Sequence, residues 1–265
     1  MTKTEFLDRC ARTGEERLLL SRVLDKAERS RSRSVPEHTA FLSPAEQVAV
    51  QDTLKLYGDV RYVLAGGYPG AERAVCLFLP DWMEAEYLEP DADGTLAAVE
   101  AELNPSAKLG HRDVLGSLMG VGVTRELLGD ILITPEKAQC MVLRSALDIV
   151  LSQWDSVGRF SVSPREISLA ALEVREPELR AVNDTVATLR LDSVLATGFS
   201  ISRAKAADLI AAGRVAVNHR DCVKADKQVC EGDILTCRGL GKCVLREANA
   251  KSKKGRIIVR MERYI

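Results

Sequence analysis

Apolar side chains in the first 58 residues recur at the three- and four-residue intervals of a helix. The first predicted helix begins at Thr13, which Glu16 follows at capping-box spacing. Its apolar stripe comprises Leu18, Leu19, Val23, Leu24 and Ala27. A second helix over 43–58 begins at Ser43 and ends before Gly58. The Arg- and Ser-rich stretch between them (31–39) is typical of a solvated connector, with contact to nucleic acid as the alternative. We therefore predict a helical N-terminal segment, residues 1–58.

Residues 59–180 alternate between strand-like and helix-like patterns. The strand-like stretches are 60–67, 74–80, 95–103, 130–135 and 138–143. The helix-like stretches are 110–123 and 143–154. This order predicts a small middle α+β domain in which helices cover a sheet.

Candidate chemistry in this middle domain is sparse. "GGYPGAER" (66–73) is rich in glycine, but no Lys-Ser or Lys-Thr pair follows, so the stretch predicts a tight turn and not a phosphate-binding loop. His111, Arg112 and Asp113 are adjacent and offer polar groups without a defined geometry. The three histidines of the chain lie far apart in sequence. We therefore predict a protein that is not an enzyme and that uses no cofactor.

The pattern changes again over 188–265. Two short helices are predicted, one ending at Gly198 and one over 202–212 that ends at Gly213. Strands are predicted at 214–218, 229–237 and 254–265, with a turn at "NHRD" (218–221). Two helices packed on a small sheet form a third domain, and the complete chain is α+β in class.

Charge is divided unevenly along the chain. The net charge is −1, yet 16 of the 37 Lys and Arg and only 8 of the 38 Asp and Glu lie from Leu189 onwards. Such asymmetry predicts a polyanionic partner for the C-terminal third. No apolar run approaches the ~18 residues of a membrane span. The N-terminus, "MTKTEFLDRC", lacks the apolar centre of a signal peptide, so a cytoplasmic location is expected.

Four of the seven cysteines lie near the C-terminus, which raises the question of a metal site. Cys222, Cys230, Cys237 and Cys243 are separated by seven, six and five residues, with no C-x-x-C pair. Structural zinc sites use closer pairs. Reduced, mostly buried thiols are the preferred interpretation, and no metal is predicted.

The start of the 202–212 helix has an unusual charge distribution. Ser202 is suited to cap the helix, but Arg203 and Lys205 place two cations where the helix dipole favours anions. A bound phosphate would meet free N–H groups, the dipole and both cations. The alternative is that both side chains extend into water at a small energetic cost.

The segment 190–218 resembles the alpha-L RNA-binding domain, which a small-subunit ribosomal protein, certain tRNA synthetases and pseudouridine synthases share. The matching residues are Arg190, Leu191, Asp192, Ser202, Arg203, Ala206, Ile210, Gly213, Val215, Val217 and Asn218. The resemblance implies RNA contacts by Arg190, Ser202, Arg203, Lys205, Arg214 and Asn218. The row of cations adds Lys224, Lys253 and Arg256 as expected RNA contacts. Asp192 is interpreted as structural.

Further stretches resemble YlmH-type RNA-binding proteins along essentially the full chain. These stretches are "FLSPAEQ", "GGYPGAER", "HRDVLGSLMGVGVTRELLGDIL", "VGRFSV" and "RGLGKCVLREANAKSKKGRIIVRMERY". The resemblance implies an RNA-recognition-like sheet in the middle domain and association with the large ribosomal subunit. It also implies a role in rescuing stalled subunits obstructed by peptidyl-tRNA, and genes that lie near cell-division genes.

One departure concerns how RNA is bound. Sheet-based RNA readers stack bases on exposed aromatic side chains, but aromatic residues make up only 5% of this chain. The middle domain is therefore expected to contact protein or the RNA backbone and not to read bases. The C-terminal domain is expected to be the main RNA contact.

The leading hypothesis is a non-enzymatic protein that binds rRNA, tRNA or both through phosphate contacts and the shape of the RNA. One alternative is an RNA-modifying enzyme that carries the same module as an accessory. Such an enzyme would need a Gly-rich cofactor loop or a separate catalytic Asp. The other alternative is a cell-division-linked factor that binds protein partners through its acidic N-terminal two-thirds.

Overall fold

The computed structural model describes residues 2–83, 94–251 and 255–265. The chain divides into two compact units, Met1–Val174 and Arg175–Ile265. The expected division at residue 58 is not a boundary between compact units, because helices and strands on both sides of it belong to the first unit. The boundary between the two units, after Val174, lies several residues before the expected division at 180–188, which stays a prediction.

The described residues of the first unit form five α-helices. They are α1 (Lys3–Cys10), α2 (Gly14–Arg33), α3 (Pro44–Tyr57), α4 (His111–Gly120) and α5 (Leu147–Gln153). Short 3-10 helices occur at Pro105–Ala107, Arg125–Leu127, Arg144–Ala146 and Leu169–Ala171. The capping box at Ser43 forms as the sequence predicts. At Thr13 only half of the expected box forms: the hydroxyl accepts from the Glu16 N–H, but the Glu16 carboxylate accepts from the Arg12 N–H. Helix α2 continues through Arg33 and ends at Ser34 in the left-handed conformation, so the first residues of the expected connector are helical.

The described part of the first unit contains nine strands, arranged in sheets. They are β1 (Glu37–His38), β2 (Tyr62–Ala65), β3 (Val75–Phe78), β4 (Leu96–Glu102), β5 (Leu128–Ile133), β6 (Lys137–Leu143), β7 (Ser156–Val157), β8 (Phe160–Ser161) and β9 (Arg165–Ile167). The first three form an antiparallel sheet in the order β1-β3-β2. Leu20 and Leu24 of α2, Val50 and Leu54 of α3 and Phe78 of β3 share one apolar cluster. The strands after residue 58 therefore complete the core of the helical segment.

The middle of the chain folds as a β-α-β-β-α-β unit built from β4, α4, β5, β6, α5 and β9. Its four strands are antiparallel in the order β5-β6-β4-β9, the arrangement of the ferredoxin-like split fold. Alternate residues Ala97 and Val99 of β4 pack against Val114 of α4 and Val150 of α5. The expected helix-covered, RNA-recognition-like sheet is confirmed, and so is the α+β class of the chain.

In the described part of the second unit, a six-stranded antiparallel sheet carries two helices on one face. Its helices are α6 (Leu191–Phe199) and α7 (Arg203–Ala211). Its strands are β10 (Leu179–Val186), β11 (Val215–Val217), β12 (Arg220–Asp221), β13 (Ile234–Cys237), β14 (Gly241–Lys251) and β15 (Ile257–Tyr264), in the order β10-β15-β14-β13-β11-β12. Leu195, Phe199 and Ile210 of the helices pack on Leu245 and Met261 of the sheet. Strands β10 and β14, which the sequence pattern did not indicate, enlarge the expected sheet. The expected turn at 218–221 is shorter than predicted, because Arg220 and Asp221 form β12.

Two further expectations concern cysteines and membranes. Cys237 and Cys243 lie in the core of the second unit, and burial raises the pKa of Cys243 to about 11. Among the residues that the structure describes, no group of three or more His, Cys, Asp or Glu side chains is placed to hold a metal ion. None of the helices in the described ranges is long and apolar enough to cross a membrane.

Candidate RNA-contact surface

The starts of α6 and α7 are joined by one carboxylate. Asp192, 5% exposed in the first turn of α6, accepts hydrogen bonds from Arg190 and Arg203. Its Oδ2 atom lies 3.2 Å from Nη2 of Arg190 and 3.0 Å from Nη2 of Arg203. Burial alone would raise the pKa of Asp192, but the hydrogen bonds and charges of the two arginines lower it. The carboxylate is therefore held ionised, and both guanidinium groups are fixed at the helix starts.

This contact answers the question that the charges at the start of α7 raised. The negative group beside Arg203 is the Asp192 carboxylate of the same chain. Arg203 nevertheless keeps 55% of its side chain exposed, and Arg190 keeps 35%. The Asp192 carboxylate thus takes the place beside Arg203 where a bound phosphate was expected. The outer edges of both arginines still face solvent.

Ser202 and Lys205 complete the first turn of α7. The Ser202 hydroxyl accepts a hydrogen bond of 3.1 Å from the Lys205 backbone N–H, which is the capping contact that the sequence predicts. Lys205 itself is exposed, with its charge close to the positive end of the helix dipole. This part of the site consequently carries more positive charge than the internal carboxylate neutralises.

The loop after β12 lies against the start of α6. The backbone N–H groups of Leu191 and Asp192 donate to the carbonyl oxygens of Lys227 and Ala225, at 2.8 and 3.0 Å. Lys224 begins the turn that Lys227 closes, and both side chains are exposed. The loop thus brings Lys224 to the helix starts, and it brings Lys227 as well, a cation that the sequence motifs did not single out. We call Arg190, Arg203, Lys205, Lys224 and Lys227 the helix-start surface.

Arg214 and Asn218 lie elsewhere in the second unit. Arg214 follows the C-terminal end of α7, about 14 Å along the helix from Lys205, and its Nη2 donates to the Arg238 carbonyl at 2.7 Å. Asn218 and His219 have φ of +50° and +63°, as the tight hairpin turn between β11 and β12 requires. The Asn218 side chain is engaged within the domain: its amide donates to Asp233 and its oxygen accepts from the Ile234 N–H.

One of the expected RNA contacts, Arg256, lies at the far end of the long strands. Arg256 precedes β15, and its guanidinium donates to the Thr185 hydroxyl at 3.0 Å and to the Thr185 carbonyl at 2.7 Å. Lys253 lies outside the described residues. The structure therefore groups Arg190, Ser202, Arg203, Lys205 and Lys224 at the helix starts. It gives Arg214, Asn218 and Arg256 hydrogen-bond partners in other parts of the domain.

The middle sheet has a second face, opposite α4 and α5, which is the face that sheet-based RNA readers use. Here this face is covered by residues of the same compact unit. The covering and the sheet face share one apolar cluster, whose buried residues are Phe41, Val75, Leu96, Ala98, Met141, Leu143 and Leu169. Strands β4 and β6, both fully described, contain no aromatic residue for base stacking. That this domain does not read bases stays a prediction, which the burial of this face supports.

Two polar side chains, Asp130 and Arg73, stabilise this covering of the sheet face. The Asp130 carboxylate on β5 accepts hydrogen bonds from the Tyr68 hydroxyl and from the backbone N–H groups of Glu72 and Arg73. The Arg73 guanidinium donates to the carbonyl oxygens of Leu128, Phe41 and Arg125. The stretch "GGYPGAER" is thus a turn, as predicted, that attaches the N-terminal core to the middle sheet.

A buried carboxylate lies on the same sheet face. Glu100 of β4, 6% exposed, accepts hydrogen bonds from Arg165 at 2.5 Å and from Gln139 at 2.7 Å, and Lys137 lies 3.3 Å away. Hydrogen bonding from Arg165 and Gln139 outweighs burial and lowers the pKa of Glu100 to about 2. Its lone pairs are satisfied by structural partners, so it is not arranged as a proton-transfer group.

Comparison with known proteins agrees with this architecture. Residues 189–235 match the S4 domain, residues 102–171 match the "Putative RNA-binding domain in YlmH", and residues 15–79 match the N-terminal domain of YlmH. The chain is 34% identical over 226 residues to ribosome-associated protein quality control protein P2 of Bacillus subtilis (strain 168). The match covers 85% of this chain and 86% of that protein.

A solved structure supports the fold independently. The cell division protein ylmH from Streptococcus pneumoniae superposes with a TM-score of 0.51 at 23% identity, over 60% of this chain and 95% of that one. The C-terminal helix pair and sheet therefore define a protein with an S4-type RNA-binding domain. Together with the two further domain matches and the relative that spans most of the chain, they show that the chain belongs to the YlmH family.

Proposed function

We propose that this chain is a non-enzymatic RNA-binding protein that contacts structured rRNA, tRNA or both on the large ribosomal subunit, in ribosome-associated quality control. The observation that carries this proposal is the helix-start surface. Two arginines fixed by a buried carboxylate lie there with three exposed lysines, in an S4-type domain. The name of the 34% identical relative supports the ribosomal assignment.

The geometry favours phosphate recognition. Asp192 neutralises one of the two guanidinium charges that it holds, and Asp226, in the loop between Lys224 and Lys227, also interacts electrostatically with Arg190. Five cations against these two carboxylates leave an excess of about three positive charges. Each guanidinium uses part of its fork on Asp192 and presents the remaining edge to solvent. Fixing both side chains before binding lowers the entropy lost when RNA is bound. The surface is therefore suited to neighbouring phosphates of a folded RNA.

The other hypotheses have less support. Asp192 is bonded to two arginines and is 5% exposed, so it is not available as the catalytic carboxylate of a modifying enzyme. Glu100 and Asp130 are likewise held by structural partners. We accordingly assign no reaction to the chain. Binding to RNA is also compatible with protein partners of the acidic first unit.

The test is co-sedimentation with purified large ribosomal subunits at ~100 mM and ~400 mM salt, since binding through phosphates falls steeply with salt. A Lys205→Glu, Lys224→Glu variant is compared with the wild type, because Arg203 also holds Asp192 and its loss would disturb folding. The control is Lys55→Glu, which reverses an exposed charge of α3. We expect salt-sensitive binding that the variant loses and the control keeps.

Binding of the double variant at wild-type strength would contradict the assignment of the helix-start surface. Equal binding to small and large subunits would contradict the large-subunit assignment. Repeating the measurement with protein-free tRNA and protein-free 23S rRNA shows which RNA the surface recognises.

A further inference from the structure

Helix α2 carries a row of cations on one side. Arg22, Lys26, Arg29 and Arg33 follow one another at four-, three- and four-residue intervals, which places them within an arc of about 60° on the helix surface and over about 16 Å of its length. The buried residues of α2 face away from this arc and are Leu20, Val23, Leu24, Ala27 and Ser30. The four cations, which we call the α2 basic stripe, therefore lie along the solvent side of the helix.

The stripe exists because α2 continues further than the sequence pattern indicates. Had residues 31–33 formed a loop, Arg33 would not align with Arg29 and Arg22. The side chains of Arg22, Arg29 and Arg33 are exposed, and Lys26 is half-buried. The helical conformation thus converts an Arg- and Ser-rich stretch into a linear array of charges.

Its surroundings make this array unusual. The first unit contains 19 Lys and Arg against 27 Asp and Glu, so a row of four cations is a local reversal of charge. Acidic residues of α2 lie mostly to one side of the stripe: Asp25, next to the stripe, pairs with Lys3 of α1, and Glu28 lies further round the helix on the same side. Glu15 is in line with the stripe but two turns before it.

A carboxylate from β1 pairs with the stripe. Glu37, with 18% of its side chain exposed, lies 3.5 Å from Nζ of Lys26 and 3.3 Å from Nη1 of Arg29. One acid against four cations leaves an excess of about three charges. Glu37 orients the two middle cations in the way that Asp192 orients arginines in the second unit.

We infer that the α2 basic stripe is a second RNA-contact site, which binds consecutive phosphates of one RNA strand. The Cβ atoms of residues one helical turn apart are separated by about 5–6 Å, so the long side chains of the stripe can reach neighbouring phosphates of one strand. The sparing use of aromatic residues favours backbone contact over base recognition. The inference rests on the proposed RNA-binding function and extends it to the first compact unit.

The experiment measures filter binding of the full chain to protein-free, refolded 23S rRNA between ~50 and ~200 mM salt. The stripe variant is Arg22→Gln, Arg29→Gln, Arg33→Gln. The control removes three exposed charges away from the stripe in the first unit, as Arg31→Gln, Lys55→Gln, Arg112→Gln. If three phosphate contacts are lost, the negative slope of log K against log salt becomes shallower by about 2. The affinity at ~100 mM salt falls by about tenfold. The control keeps the wild-type slope.

A further variant changes binding in the opposite direction and so does not depend on damage to the fold. Glu37→Gln releases Lys26 and Arg29 from their carboxylate, and we expect the affinity to rise about two- to fivefold. Thermal unfolding of each variant checks that the native structure is retained. A stripe variant with the slope of the control, or a Glu37→Gln variant that binds no tighter than wild type, would overturn the inference.

The Lys205→Glu, Lys224→Glu variant separates the two proposals. Weaker binding by this variant together with wild-type binding by the stripe variant would support the helix-start surface and reject the stripe. The converse result would support the stripe and reject the helix-start surface. Wild-type binding that does not depend on salt would reject both.

Discussion

The carboxylate of Asp192, in the first turn of α6, lies 3.0 Å from the guanidinium of Arg203, the first residue of α7. The contact joins residues eleven positions apart and fixes how the two helix starts meet. Because Arg190 shares the same carboxylate, the two cations are held side by side in spite of their repulsion. The buried Asp192 carboxylate thus holds two arginines in place on a surface with net positive charge.

Replacing Asp192 with Asn is expected to weaken both the fold and the RNA site. The amide cannot neutralise two guanidinium groups, and we expect a loss of about 1–3 kcal/mol in the free energy of unfolding. The loss stays below that of a fully buried pair because both arginines are partly exposed. Urea unfolding measures it, with Asp221→Asn, an exposed acid of β12, as the control. A change below about 0.5 kcal/mol, the usual range for surface substitutions, would show that Asp192 does not organise this junction.

Lowering the pH should reduce the free energy of unfolding of the first unit, because Glu100 becomes protonated. Its pKa is about 2 in the fold against 4.5 for the free side chain, so its contribution is complete above pH 4.5 and is lost as the pH falls towards 2. We expect this contribution to be about 1–2 kcal/mol, because solvent around the exposed Arg165 reduces it. Unfolding measured at several pH values should show a shallower dependence for Glu100→Gln than for wild type over this interval. Parallel curves would mean that Glu100 does not titrate as its contacts indicate.

Asn218 should act on the turn rather than on RNA. Asn218→Gly keeps the positive φ but loses the bonds to Asp233 and Ile234, whereas Asn218→Ala also places a less tolerant side chain in the left-handed region. We expect losses of about 1 and about 2 kcal/mol in the free energy of unfolding. RNA affinity of the folded glycine variant should stay close to that of wild type. A clear loss of affinity at unchanged stability would instead support the direct contact that the family resemblance implies.

Local signals in the sequence located most of the helices. Ser43 with Glu46 and Ser202 before α7 are caps whose hydrogen bonds lie within one turn, so the residues themselves specify the element. The grouping of Arg190, Ser202 and Arg203 also followed from a pattern within one short segment. Lys227 was missed because its place depends on how the loop after β12 folds back onto α6.

Long-range pairing explains the elements that the pattern did not indicate. Strand β10 pairs with β15 along its whole length, from Leu179 with Tyr264 to Val186 with Ile257. As an edge strand with mostly exposed side chains, it lacks the apolar alternation of a half-buried strand. The burial of the second face of the middle sheet depends on Phe41, which is distant from β4 in the sequence. No local pattern carries that information.

The covered sheet face provides the last prediction, through Gly129 of β5. A β-carbon added there would lie 2.7 Å from the Phe41 ring and 2.8 Å from the Met141 side chain, closer than packed atoms approach. Gly129→Ala should therefore destabilise the first unit by about 1–3 kcal/mol through overpacking. Phe41→Ala should destabilise it by about 3–5 kcal/mol through the cavity that it leaves.

The two changes should not add, because the methyl group introduced by Gly129→Ala would occupy part of the space that the Phe41 ring vacates. In a double-mutant cycle the combined variant should be more stable than the sum of the single losses predicts, by about 1 kcal/mol or more. Met141→Ala provides a second partner for the same test. The atom of Met141 that lies close to Gly129 is its Cβ, and alanine keeps that atom. Met141→Ala should therefore relieve the clash introduced by Gly129→Ala less than Phe41→Ala does. Additive losses would mean that the Phe41 ring does not rest on Gly129.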